Sequence, residues 1–225
     1  MMLKRAGVLA TKDIRLMFVG GGGPVQAVLL GLLLVFMFSL GSPSGVPVTA
    51  RAAATVFWLA SVFSLILIYN NLYMVEERSG ARIGLVLAAT PIQIICLGKI
   101  IAGFILVLLT QIFFFFFFIV FLGQEVSGNL LIASGAVLGV DLGMAVIGGL
   151  LGAAAQGSGV KDSLLSIIIF PLLMPILLAG IRLLDGFMAS GSYPDAGQWF
   201  MLVLAFDALF AGAALVLFPF LYSGD

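Results

Sequence analysis

Three carboxylates in this chain stand where a carboxylate is expensive. Asp141 lies in the middle of one long apolar run, and Asp207 lies about a third of the way into another. Asp13 projects from the apolar arc of a helix whose opposite arc is basic. An ionised group in hydrocarbon costs at least ~2.5 kcal/mol on insertion scales, so each must find a hydrogen bond or a cation, take a proton, or serve an ion path. The pair Asp141 and Asp207 could carry protons. The less demanding reading is that each is a hydrogen-bonding group between helices, since neither has an evident cationic partner within the membrane. Asp13 calls for a basic or hydrogen-bonding partner elsewhere in the protein.

Other chemistries are closed off. There is no His and Cys96 is the one cysteine, so an intrachain disulfide and imidazole or multi-thiolate metal sites are excluded. No His ligand for haem exists on this subunit alone, and no Ser/His/Asp set or histidine base is present. Gly98-Lys99 lacks the glycine five residues earlier and the following Ser or Thr of a phosphate-binding loop. Energy for any transport must therefore come from a partner or a gradient.

The elements that position these residues are apolar runs at about 24–41, 53–74, 100–122, 129–155, 163–184 and 199–222. With 63% hydrophobic and 9% charged residues, the whole of 1–225 reads as a single membrane domain. The first run is too late and too long for an ordinary signal peptide and reads as a retained span. Lys4, Arg5, Lys12, Arg15, Arg78, Arg82, Lys99 and Lys161 fall on one side of the membrane, and only Arg51 and Arg182 on the other. That imbalance, with an even number of spans, places both termini in the cytoplasm. The fold class expected is an all-α integral membrane protein of six transmembrane helices. A formal net charge of zero argues against nucleic acid as a partner.

Residues 3–18 read as an interfacial helix contacting membrane lipid. Lys4, Arg5, Thr11, Lys12 and Arg15 share one arc, and Leu3, Leu9, Ala10, Ile14, Leu16 and Met17 occupy the rest. The connection 76–99 between spans two and three is the candidate working part. It opens with Glu76, Glu77, Arg78, Ser79 and Gly80, passes Arg82, and reaches Thr90, Pro91 and Gln93. Thr90 and Gln93 have capping-box spacing, so a helix should start at Pro91. Running to Leu122 it would measure ~48 Å at 1.5 Å per residue, and its first turns, with Lys99, should protrude into the cytoplasm. A short helix ahead of it would make a lever; a solvated loop that only sets topology is the plainer alternative.

Span four carries Gly135, Gly139 and Gly143 on one stripe and Gly148 and Gly152 on another with Asp141, predicting close packing on two sides. Pro171 and Pro175 should kink span five. Phe113 to Phe118 point all around their helix and so read as packing. Trp199 and Tyr193 suit the outer interface.

The interfacial helix, the six spans, and Glu76 to Gly80 followed by Leu87, Pro91 and Gly98-Lys99 resemble the membrane subunits of ABC-2 type exporters. More narrowly, the near absence of outer loops and the run Ser166, Phe170, Pro171, Leu172, Leu173, Met174 and Pro175 resemble the CcmB family of haem-exporter permeases in cytochrome c maturation. The resemblance implies a bacterial inner-membrane subunit that assembles with a cytoplasmic ABC ATPase holding ATP and Mg. It further implies a haem-binding membrane protein, a haem chaperone, haem as cargo rather than a cofactor of this chain, and, by analogy, a homodimer. It assigns contact with the ATPase to Glu76, Glu77, Arg78, Gly80, Arg82 and Pro91. An ABC-2 permease for a lipid, drug or polysaccharide precursor, and a non-ABC scaffold or proton-linked carrier using Asp141 and Asp207, are the alternatives.

Overall fold

The computed structural model describes residues 2–20, 22–43, 48–87, 90–124, 128, 130–155, 161–188 and 195–223, with side chains left aside at 20, 83, 86, 161–167 and 223. Tyr193 lies outside them. The elements are α1 (Met2–Gly20), α2 (Gly23–Gly41), α3 (Ala50–Arg78), α4 (Ala81–Leu87), α5 (Ile92–Leu122), α6 (Leu130–Ala155), α7 (Lys161–Met188) and α8 (Ala196–Ser223). Among the described residues six helices are long and apolar enough to cross a membrane: α2, α3, α5, α6, the 168–188 part of α7, and α8.

The axis of the bundle is α3. Of its most apolar stretch 72% is buried, against 28% for α2 and 22% for α8, which leave most of their surface to lipid. Around it pack α2, α5, α6 and α7, while α8 lies against α6 and α7, and α1 lies across α5 and the end of α3. The two glycine stripes of α6 do what their spacing predicts. A side chain at Gly139 would meet Val203, and one at Gly143 would meet Ile176, Phe206 and Asp207, so this stripe seats α8 and α7. Gly148 and Gly152 receive the rings of Tyr69 and Tyr73 from α3. Those rings then reach across: Tyr69 Oη donates to Ala145 O at 2.7 Å and Tyr73 Oη to Gly149 O at 2.6 Å.

Several local expectations shift. The helix of span two does not stop near Met74 but continues to Arg78, so Glu76, Glu77 and Arg78 form its last turn rather than a loop. It ends through Ser79 and Gly80, whose φ of +65° is open to glycine at little cost and turns the chain into α4. Span three begins at Ile92, with Pro91 at the cap position and no side-chain cap. The Thr90–Gln93 capping box is therefore displaced by one residue: Pro91, at φ −54° and ψ 132°, supplies the extended cap backbone and its carbonyl accepts from Ile94 N at 2.9 Å. Thr49 is the residue that does cap, accepting from Ala52 N at 3.3 Å at the start of α3. Pro171 and Pro175, read from the sequence as the kink of span five, lie inside α7. Of the phenylalanine run, Phe114 and Phe118 are buried while Phe113 and Phe116 are exposed, which is packing as expected.

Candidate functional site: a buried ionic cluster at the cytoplasmic end

Lys99 was expected to protrude and instead is 1% exposed. It sits about 10 Å along α5 from Ile92. Two neighbours close over it. One is the last turn of α3, and the other is α1, which packs through a face of Ala6, Ala10, Asp13 and Met17, all buried at helical spacing. Small residues on that face let the backbones approach, and Gly98 completes the fit: a Cβ there would lie 2.9 Å from Leu9 Cβ and 3.3 Å from Ala6 O. Leu3 and Leu16, placed on the apolar arc by the sequence, remain exposed to the surroundings of α1.

The docking of α1 delivers Asp13 to Lys99. Nζ of Lys99 lies 3.0 Å from Asp13 Oδ2 and 2.9 Å from Glu76 Oε2, and 5.2 Å from the centre of the Tyr73 ring. Asp13 Oδ1 is 2.8 Å from Lys12 Nζ, so two lysines balance two carboxylates. Glu76 Oε1 accepts from Tyr222 Oη at 3.0 Å. The backbone carbonyl of Tyr222, at the end of α8, in turn accepts from Arg82 Nε at 3.2 Å and Arg82 Nη2 at 2.6 Å, with the guanidinium 5.5 Å from the Tyr222 ring centre. Ionic groups this far from water are tolerable only when paired, and here Lys99 has two carboxylates, and Glu76 a lysine and a tyrosine hydroxyl, at contact distance.

The sequence-assigned residues thus divide. Asp13, Glu76 and Arg82 are brought together in or beside this cluster, and Glu76, 3% exposed, turns its carboxylate inward. Glu77, Arg78, Gly80 and Pro91 stay on the exposed surface around α4. Lys99, Tyr222 and Gly98 carry the geometry without having been singled out as site residues. The one available signal was the Ala6, Ala10, Asp13 spacing on α1, which marks a small-residue contact face carrying a buried acid.

The intramembrane acids are separate from this cluster and from each other. Asp141 Oδ1 accepts from Gln111 Nε2 at 2.8 Å, and the same nitrogen lies 3.1 Å from Ser61 Oγ, so Asp141 joins α6 to α5 and α3. Asp207 packs against Gly143. Positions 141 and 143 are about 200° apart around a helix, so the two carboxylates address opposite faces of α6. Beside Gln111 a cavity of about 250 Å³, lined by Phe57, Phe115, Ser134, Leu184 and Phe187 among others, is almost wholly apolar. Among the described residues no group of three or more His, Cys, Asp or Glu could hold a metal ion. At the outer end Arg51 pairs with Asp185 at 3.0 Å and Arg182 lies 5.8 Å from the Trp199 ring centre.

Six helices able to span a membrane, a further helix docked on them, and an ionic cluster gathered at one end define a multi-pass membrane protein. A family model described as CcmB protein matches residues 4–223, and the chain belongs to the CcmB family. It is 24% identical over 177 residues to Heme exporter protein B of Bradyrhizobium diazoefficiens, covering 77% of this chain and 78% of that protein. It is 26% identical over 189 residues to Heme exporter protein B of Haemophilus influenzae, covering 84% of this chain and 82% of that protein.

Proposed function

We propose that this chain is the membrane-spanning subunit of a haem export system serving cytochrome c maturation, with ATP and Mg held by a cytoplasmic ATPase partner. The observation that carries the reading is the placement of α4. It stands at the cytoplasmic end, directly after the buried axis α3, and Arg82 ties it to the last turn of α8, so a push on α4 reaches the bundle. Glu77, Arg78, Gly80 and Pro91 in the same connection are exposed. Glu76 contributes from within, through Lys99, rather than by touching that partner.

Haem enters as cargo. A chain without histidine offers no imidazole to its iron, so tight ligation falls to a second membrane protein, and delivery to a haem chaperone. The test is a mild-detergent pull-down of tagged protein, with mass spectrometry and an absorption spectrum of what co-purifies. Recovery of an ATPase with a haem-bearing membrane partner supports the reading, and recovery of the chain alone removes it. Reversing charge with Glu77→Lys and Arg78→Glu should strongly reduce ATPase recovery while leaving the isolated subunit folded. Undiminished recovery would dismiss these two residues as the contact.

A further inference from the structure

Five residues at the cytoplasmic end form a series of polar contacts that passes through five helices. Arg82 on α4 holds the backbone carbonyl of Tyr222 in the last turn of α8. Tyr222 Oη holds Glu76 on α3, Glu76 pairs with Lys99 on α5, and Lys99 pairs with Asp13 on α1. Each link joins a different pair of helices.

Resting on the reading that α4 receives the ATPase, we propose that Lys99 is the positioning residue through which displacement of α4, entering the bundle at α8 and α3, is delivered to α5 and α1. The covalent path from α4 to α3 runs through Ser79 and Gly80, and glycine absorbs a change of angle there readily. By that path alone a tilt of α4 would be lost at the turn. The grip of Arg82 on Tyr222 bypasses the turn and enters the bundle at α8. From there the contacts are buried: Tyr222 is 0% exposed, Lys99 1%, Glu76 3% and Asp13 5%. Where water is excluded, charges are neither screened nor offered replacement partners, so moving one draws its counter-ion along instead of exchanging it for solvent. The ammonium of Lys99 is the link between the two helices, since it touches both the α1 and the α3 carboxylates. The pair at the other membrane face, Arg51 and Asp185, has the Arg51 side chain 60% exposed and lacks this property.

A merely structural cluster would change the amount of assembled complex but not its efficiency. The experiment therefore measures holo-cytochrome c formed per ATP hydrolysed by the assembled complex. Two variants are used. Arg82→Gln cuts the series at its partly exposed entry. The triple change Asp13→Asn, Glu76→Gln and Lys99→Met removes all three buried charges together, so that only Lys12, whose side chain is 36% exposed, loses its counter-ion and the fold is kept. The triple variant should co-purify with the ATPase and hydrolyse ATP, while holo-cytochrome c per ATP falls about tenfold, the scale of a coupling of ordinary size; Arg82→Gln should lower the same ratio in the complex that it forms. Arg82→Lys, which can restore one of the two bonds to the Tyr222 carbonyl, should recover part of that ratio. A triple variant with the wild-type ratio overturns the proposal, as does a loss that tracks only the quantity of complex. If the wild-type chain recovers no ATPase at all, the coupling reading fails first and this proposal falls with it.

Discussion

Replacing Lys99 by Met tests whether the cluster is ionic and dry. The substitution keeps an unbranched side chain of similar length and removes the ammonium that stands 2.9 Å from Glu76 and 3.0 Å from Asp13. The two carboxylates are not stranded equally. Asp13 keeps Lys12 at 2.8 Å, on a side chain 36% exposed, whereas Glu76 Oε2 loses its cation and only Oε1 retains the Tyr222 hydroxyl. Removing one partner of a buried pair costs about 3–5 kcal/mol, and with Asp13 partly compensated the lower half of that range is expected. For a chain of this size that corresponds to a fall of roughly 10 °C in melting temperature. Adding Asp13→Asn and Glu76→Gln should return most of the loss, to within about 1.5 kcal/mol of wild type, because a fully neutralised buried set often matches the ionic one.

The assay is the melting of purified protein in mild detergent, followed by the monodisperse fraction surviving a heat step. A Lys99→Met protein that melts within about 2 °C of wild type would refute the reasoning, since an uncompensated dry carboxylate cannot be that cheap. A triple variant no more stable than Lys99→Met would show that the lysine stem, not its charge, is what packs.

Asp141→Asn should leave assembly and haem delivery near wild type, because an amide oxygen can still accept from Gln111 Nε2; transport lost in a well-assembled Asn variant would instead favour the proton-carrier alternative. Asp141→Leu, which strips one bond from a buried amide, should destabilise by about 1–3 kcal/mol in the same melt. Gly152→Ala drives a methyl into the Tyr73 ring and should cost about 1–3 kcal/mol, while Gly212→Ala, with nothing near its Cβ position, should stabilise by about 0.5–1 kcal/mol. The order of those two melting temperatures checks the helix assignment of both faces. Arg51→Ala should change stability by less than about 1 kcal/mol, as expected of an exposed pair, and a larger loss would mean the outer end is stitched as tightly as the inner.

The spans were legible because a membrane helix needs about 20 apolar residues and this chain carries six such runs. The stripes of α6 were legible because glycines at four-residue spacing face one neighbour, and here they face α8 and α3 as two stripes should. The demand of Asp13 for a basic partner was legible from its arc, and Lys99 answers it. The end of α3 was not, because hydropathy stops at the first acids while helix geometry continues through Glu76, Glu77 and Arg78. Nor was the burial of Lys99. A lysine near the start of a span looks like a topology signal, and what buries it is the docking of α1, a contact between residues 13 and 99 that no local pattern carries. Tyr222 and Glu76 are farther apart still in sequence, and their bond exists only because α8 returns to the same membrane face.

Stability alone does not account for three ions in a dry interface, since well-packed apolar side chains of similar volume would hold the helices at least as firmly. What the ions add is register. Apolar contacts tolerate sliding, but Lys99 reaches Asp13 and Glu76 together only at one setting of α1 and α3 against α5. A slip of one residue moves a side chain by 1.5 Å along the helix and 100° around it, enough to break either pair. The directional bonds from Tyr222 and Arg82 extend the same constraint to α8 and α4. The outer end is held differently, by edge-on aromatic packing such as Phe57 against Trp58 and Phe118 and by the exposed Arg51–Asp185 pair. Register is thus fixed at the face where α4 is attached, and the opposite face keeps the weaker, less directional contacts.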